Sequence, residues 1–240
     1  MIHLKNILFS FYCGANLKFI YHYIYCLFFN KKIYKKNLSI KDNFLIKIDK
    51  LKQQKILVGL EMQVINYNIP HLNEVLSNEN LLDKKMNGLI VGCYEGYSTL
   101  FFITHCIYAN FTCVDVWNKQ RLSQGYNSDA EKYFDKNTET FQDRINKIKD
   151  TSQSFFNKNS QKFDFIYLDG AHDPKIVEAD CKESLHSLNH NGILIVNSIF
   201  WRGFKELKKN NLYGISNFMK KNKDFKIIYV TRNTLFLKKK

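Results

Sequence analysis

The chain is poor in the residues that interrupt regular structure, with two prolines and ten glycines in 240 residues. That excludes collagen-like and Pro/Gly-rich low-complexity chains. Its six cysteines, Cys13, Cys26, Cys93, Cys106, Cys113 and Cys181, include no C-x-x-C pair, and no histidine lies at finger spacing from two of them. A structural zinc is therefore not expected. The cysteines sit in apolar segments, which fits reduced, buried thiols in a cytoplasmic protein. A long hydrophobic run is also missing. Residues 19–29 (FIYHYIYCLFF), flanked by Lys18 and Lys31–Lys32, reach about half the length of a bilayer span. No small residues for a signal-peptidase site follow them. This stretch is expected to be a helix packed on the rest of the chain, with peripheral contact at a membrane surface as the alternative. Arginine is scarce although the formal net charge is +14. A basic chain is drawn to polyanions, but planar phosphate recognition favours arginine over scattered lysine. Nucleic acid is thus a weaker expectation than a small-molecule partner.

Hydrophobic residues make up 45% of the chain, enough for one α/β domain of ordinary size with an extension. Residues 1–80 are aromatic, basic and glycine-poor, and they read as a helical N-terminal extension. Ile40, Phe44, Ile48 and Leu51 follow helical spacing and predict a helix near 39–54. From residue 81 onward short apolar runs alternate with helical stretches, and glycines mark the junctions. That alternation predicts βαβ units and a mostly parallel sheet with helices on both faces. Strands are expected at 88–91, 111–116, 145–148, 163–168 and 193–196. Ser98 is expected to cap the first helix after the sheet begins, and Asn191-Gly192 to turn into the fifth strand. Asp173-Pro174 starts a helix, since proline suits the first helical position. Residues 225–230 and 234–237 flank Thr231-Arg232-Asn233 and predict a closing antiparallel hairpin. Residues 118–128 are polar and read as a lid or loop.

In an open α/β sheet, ligands bind at the carboxyl ends of the strands. Glu95, Asp115, Asp150, Asp169 and Asn197 all fall there. A cap or turn former explains any one of them, but not their common placement. The first turn reads Gly92-x-x-x-Gly96, with Tyr94 where a dinucleotide site has a second glycine to admit the pyrophosphate. Asp115, at the end of the second strand, suits the ribose hydroxyls of either S-adenosylmethionine (SAM) or a nicotinamide dinucleotide. The missing glycine favours SAM, which has no phosphate, and makes a dehydrogenase the least favoured reading.

GLIVGCYEGYSTLFF, TCVDVW, AEKYFDKN, INKIKDTS and FDFIYLDGAHDPKIVEADCKESLHSLNHNGILIVNS stand in order at natural spacing over residues 86–201. Together they resemble the motifs of class I SAM-dependent methyltransferases, specifically the small-molecule O-methyltransferase-like family called methyltransferase domain 24. The resemblance implies a Rossmann-like fold with a seven-stranded sheet. The backbone of Gly92, Cys93, Tyr94, Glu95 and Gly96, with Ser98 and Thr99 just after, would cradle SAM. Asp115 would hold the ribose, Val116 and Trp117 would border the adenine, and Ser152 would lie at the adenine edge. Asp169 matches a substrate-facing or metal-binding carboxylate and His172 a general base, a task suited to an imidazole near neutral pKa.

The sequence departs from the family at two places. Ile90 replaces an acidic residue two positions before the first glycine. Asn197-Ser198 replaces paired aspartates, so a magnesium ion, which prefers charged oxygen ligands, would have Asp169 and Asn197 only. The implied activity is O-methylation of a small-molecule hydroxyl, including that of a sugar. The alternative is a catalytically degenerate methyltransferase fold that binds nucleic acid or a membrane surface. A nucleic-acid methyltransferase ranks third, because no N-P-P-Y-like motif is present.

Overall fold

In the computed structural model the described residues are 2–60, 64–117, 127–201, 203 and 205–240. The lid expected at 118–128 lies outside them except for Asn127 and Ser128. In chain order the helices and strands are α1 (Ile2–Tyr12), α2 (Leu17–Lys36), α3 (Leu38–Gln53), α4 (Ile69–Asn78), β1 (Met86–Val91), α5 (Tyr97–His105), β2 (Ala109–Asp115), α6 (Ala130–Thr138), β3 (Ile145–Lys149), α7 (Ser152–Lys158), β4 (Phe163–Leu168), α8 (Pro174–Ser187), β5 (Leu188–Val196), α9 (Asn211–Lys221), β6 (Phe225–Val230) and β7 (Leu235–Lys239). The seven strands form one sheet in the order β3-β2-β1-β4-β5-β7-β6. The pairs β1–β2, β2–β3 and β4–β5 are parallel, and β5–β7 and β6–β7 are antiparallel. This is the Rossmann-like architecture with the closing hairpin expected from the sequence. No helix among the described residues is long and apolar enough to cross a membrane.

The chain divides into two compact units, Lys32–Thr151 and Met1–Lys31 with Ser152–Lys240. Phe19 and Tyr23 of α2 pack on Phe200 at 6.4 and 5.1 Å, and the Tyr229 hydroxyl donates to Asn30 Oδ1. Phe19, Tyr23 and Asn30 of α2 thus share a core with the C-terminal half.

In the Lys32–Thr151 unit, β1 and β2 are buried along nearly their whole length, as strands covered on both faces must be. β3 (INKIK) has part-buried and exposed positions and no fully buried one. Its lysines blunt an edge that would otherwise invite further strand pairing, and they turn to α6, where Lys147 meets Asp135 at 2.6 Å and Glu131 at 3.1 Å. In the other unit Asp173 caps α8 by accepting from Lys175 N and Ile176 N, with Pro174 next, as predicted. Two sequence expectations fail locally. The cap of α5 is Gly96, at φ +93°, and Ser98 is its second helical residue. Asn191-Gly192 lies within β5, where the pairing with β4 shifts register, so it is a bulge and not a free turn. α9 was not foreseen. All six cysteines are buried, and no disulfide joins them.

Candidate active site

At the end of β1 the chain makes a turn that only a strained backbone can make. Gly92 and Gly96 have φ +88° and +93°, and the non-glycine Tyr94 sits at φ +50°. Trp117, just past β2, is also left-handed at φ +37°. Such residues are uncommon outside glycine and cluster at functional sites. Asp115 holds both: Tyr94 N donates to its Oδ2 at 2.9 Å and Trp117 N to its Oδ1 at 3.0 Å. Trp117 then returns a bond through Nε1 to Tyr94 O at 2.9 Å. Its buried ring rests 4.9 Å from Phe134 and 4.8 Å from the Lys147 ammonium, so it braces the turn. Val116 is part-exposed beside it.

The side chains of Glu95 and Cys93 in this loop, and of Thr99 in α5, point inward. Glu95 is 2% exposed. It accepts from Leu60 N at 2.6 Å and from Asn127 Nδ2 at 2.8 Å. A strand-end carboxylate expected to face a ligand instead ties down the 57–60 segment, helped by Asn137, which bonds Val58 on both its N–H and C=O and also Glu95 O. Thr99 is fully buried with Oγ1 near Cys113 Sγ. Cys93 places its thiol against Ile90 O and Val114 O, where burial pushes its pKa well up. Cys93 and Thr99 have only backbone atoms to offer a cofactor; Ser98 is part-exposed.

The second cluster belongs to the other unit. Asp169, at the end of β4, accepts from Asn197 Nδ2 at 2.9 Å, Ser198 Oγ at 3.1 Å and Tyr167 Oη at 3.4 Å. Burial of its carboxyl group pushes its pKa up to about 6, against the pull of these donors. Asn197 Oδ1 in turn accepts from Thr234 Oγ1 at 2.8 Å. The amide therefore presents nitrogen to Asp169. Two oxygens would have to converge for a cation, and no group of three His, Cys, Asp or Glu that could hold a metal exists among the described residues. The donor set at Asp169 and Asn197 does not fit a hard divalent ion.

His172 stacks on Trp201 with ring centroids 4.3 Å apart and planes 12° apart. Asn211, the first residue of α9, donates through Nδ2 to Ser198 O at 3.0 Å and stands 3.0 Å from His172 Nδ1 with the same nitrogen. Ser198 O can only accept, so the amide orientation is fixed, and His172 Nδ1 must accept as well. The imidazole proton then sits on Nε2. Burial lowers the His172 pKa, which keeps the ring neutral. Asp169, His172, Asn197 and Asn211 line one small cavity together with Val177 and Asp180. Asn211 is 2% exposed, and its Oδ1 has no hydrogen-bond partner. Ser152, at the start of α7, bonds Asp180 and Gln153. His105 is held by Phe101 O at 2.8 Å.

Asp180 gives a stability prediction. It is buried, it accepts from Gln153 Nε2 at 3.0 Å, and burial pushes its pKa up to about 6 from the ordinary 3.8. A raised folded pKa means that folding takes up a proton. The stabilising contribution is complete below about pH 3.8 and is lost as pH rises through 6. Asp180→Asn should thus be more stable than the parent at pH 8 by about 2 kcal/mol, with the gain vanishing near pH 4. Urea denaturation at the two pH values checks this; equal gains at both would show that Asp180 is not the titrating group.

Residues 89–199 match the family described as a methyltransferase domain. No curated protein matches the chain by sequence. Among solved structures the chain is similar to a protein assigned as a caffeoyl-CoA O-methyltransferase from Staphylococcus aureus, at 15% identity and TM-score 0.59, over 88% of this chain and 99% of that one. It is similar to an O-methyltransferase from Bacillus cereus in complex with SAH at 13% identity and TM-score 0.56, over 88% and 100%. A protein assigned as an rRNA methylase from Clostridium thermocellum matches at 13% identity and TM-score 0.53, over 70% and 97%. At such identities the structural likeness speaks for the fold, and the family match adds the motif-bearing strands and turns. Residues 89–199 thus match a methyltransferase domain, within a fold shared with methyltransferases of solved structure.

Proposed function

We propose that the protein transfers a methyl group from SAM to a hydroxyl of a small molecule, with sugars among the candidate acceptors. The observation that carries the cofactor is the turn at 92–96, strapped by the Asp115 carboxylate through Tyr94 N. Tyr94 fills the place where a pyrophosphate would need glycine. The cradle thus fits a nucleoside cofactor without phosphate. Asp115 would hold the ribose hydroxyls, the 92–96 backbone the methionine portion, and Val116 the adenine edge beside Trp117. SAM supplies an electrophilic methyl on a sulfonium, and SAH is the leaving group.

The acceptor's hydroxyl must lose its proton as its oxygen attacks the methyl carbon. A base at His172 Nε2 needs a lone pair there, but the Asn211 bond leaves Nε2 protonated. Asp169 suits the task better. With a pKa of about 6 it is ionised at neutral pH yet basic enough to take a proton. His172 Nε2–H would donate to the acceptor, and Asn211 Oδ1 would accept from a neighbouring hydroxyl.

Two experiments test this. Calorimetry should show micromolar binding of SAM and SAH and none of NAD; failure of all three to bind would reject the cofactor. With an active acceptor drawn from a panel of hydroxylated small molecules, the rate should rise with pH through about 6. Asp169→Asn and His172→Ala should each lose about a hundredfold, while His172→Gln, which keeps a donor but cannot take a proton, should recover much of the loss. If His172→Gln falls as far as His172→Ala while Asp169→Asn stays active, the base is His172 after all.

A further inference from the structure

The methyltransferase reading leaves the outer faces of α1 and α2 without a task. Of the fifteen exposed large apolar side chains among the described residues, ten lie between Leu4 and Phe29. They are not scattered. α2 buries Phe19, Tyr23, Cys26 and Asn30 on one face, while Tyr21, Tyr25 and Phe28 recur at helical spacing on the opposite face, with Phe28 at 78% exposure. Tyr21 stacks on Tyr25 at 6.2 Å. α1 repeats the pattern, burying Asn6, Phe9 and Ser10 and exposing Leu4, Leu8 and Phe11. Isolated exposed apolar residues need no explanation, but contiguous stripes mark an interaction surface.

Charge selects the partner. Residues 1–41 contain no Asp or Glu. Lys5, Lys18, Lys31, Lys32 and Lys35 are all exposed, and 28, 32 and 35 fall on one face of α2 at i, i+4 and i+7. The aromatic stripe therefore runs directly into a basic one. Two copies of this chain meeting through these faces would set lysine against lysine with no carboxylate on either helix to pair it. Nucleic acid would use the lysines but would leave the leucine and phenylalanine stripe in water. An anionic lipid surface satisfies both, taking apolar side chains at the acyl boundary and lysines at the headgroups. We propose that α1 and α2 form a peripheral docking surface for an anionic membrane, with their helix axes in the plane of the interface.

The test is co-sedimentation of the full chain with vesicles of phosphatidylcholine alone or with added phosphatidylserine, at low and high salt. Binding to the anionic vesicles should exceed binding to the neutral ones by about tenfold and should fall with salt. Phe28→Glu with Tyr25→Glu should reduce it by about tenfold, and so should the charge variant Lys31→Glu with Lys32→Glu and Lys35→Glu. SAM binding should be unchanged in both, which separates failure here from failure of the enzymatic reading. Absence of binding, or equal and salt-insensitive binding to both vesicle types, overturns the proposal. So does a dimer in sedimentation that Phe28→Glu dissociates while vesicles go unbound, because the face then belongs to a second copy.

Discussion

Asp115→Ala should reduce SAM affinity by about a hundredfold or more while leaving the chain folded. Two losses combine. The ribose hydroxyls lose a charged acceptor, and the loop loses the group that organises it. Tyr94 and Trp117 hold left-handed conformations that a side chain adopts only under constraint, and Asp115 accepts the backbone N–H of both. Without it the turn is free to relax before SAM arrives, so binding must restore the geometry. Asp115→Asn should be nearly as damaging. An amide has one acceptor oxygen, so its NH2 would face one of the two N–H groups. Calorimetry with SAM and SAH measures the effect, and circular dichroism shows that the fold survives. An affinity within threefold of the parent would mean that Asp115 organises structure without touching the cofactor.

Gly214→Ala should be the most destabilising small substitution in the C-terminal half. Gly214 lies in the first turn of α9, where that helix crosses the start of α8. A methyl group there would stand 2.1 Å from Pro174 O, 2.9 Å from Pro174 C and 3.0 Å from Pro174 Cα. These are backbone atoms of a capped helix start and cannot rotate away. The helices must separate, at a cost of about 3 kcal/mol, or roughly 9 °C in melting temperature for a chain of this size. The consequence reaches the chemistry, because α9 begins with Asn211, which fixes the His172 ring. Methyl transfer should therefore fall more than SAM affinity, whose cradle lies in the other unit. Thermal melts and urea titrations read the first effect and a comparison of the two activities the second. A melting temperature within 2 °C of the parent would show that α8 and α9 can part without loss.

Much of the fold was legible because the alternation of apolar runs and helical faces is strong after residue 81. β4 begins and ends at the residues the sequence suggested, and Asp173-Pro174 marked α8 through cap chemistry. α9 was missed because Gly214, Ser216 and Asn217 dilute it. Leu212, Ile215, Phe218 and Met219 nevertheless repeat at helical spacing and were the available signal. The site was legible as positions more than as directions. Asp115 and Asp169 are where a carboxylate at a strand end should be. Glu95 has the same sequence context but turns inward, and only Leu60 N and Asn127, far away in the chain, decide that. Likewise the role of His172 turns on Asn211, in a helix the sequence did not reveal. The division into units was invisible because composition changes near residue 80, whereas Phe19, Tyr23 and Asn30 belong with Phe200 and Tyr229.

That last pairing orders events at the ribosome. The unit Lys32–Thr151 is continuous in sequence, so it can close once its final strand has emerged. The other unit joins Asn30 to Tyr229 across 199 positions, and loops of that span close late. During synthesis Phe19, Tyr23 and Asn30 are made well before Phe200 and Tyr229, which they meet in the folded chain. Through that interval the greasy inner face of α2 must be shielded by a chaperone or by transient contacts of its own.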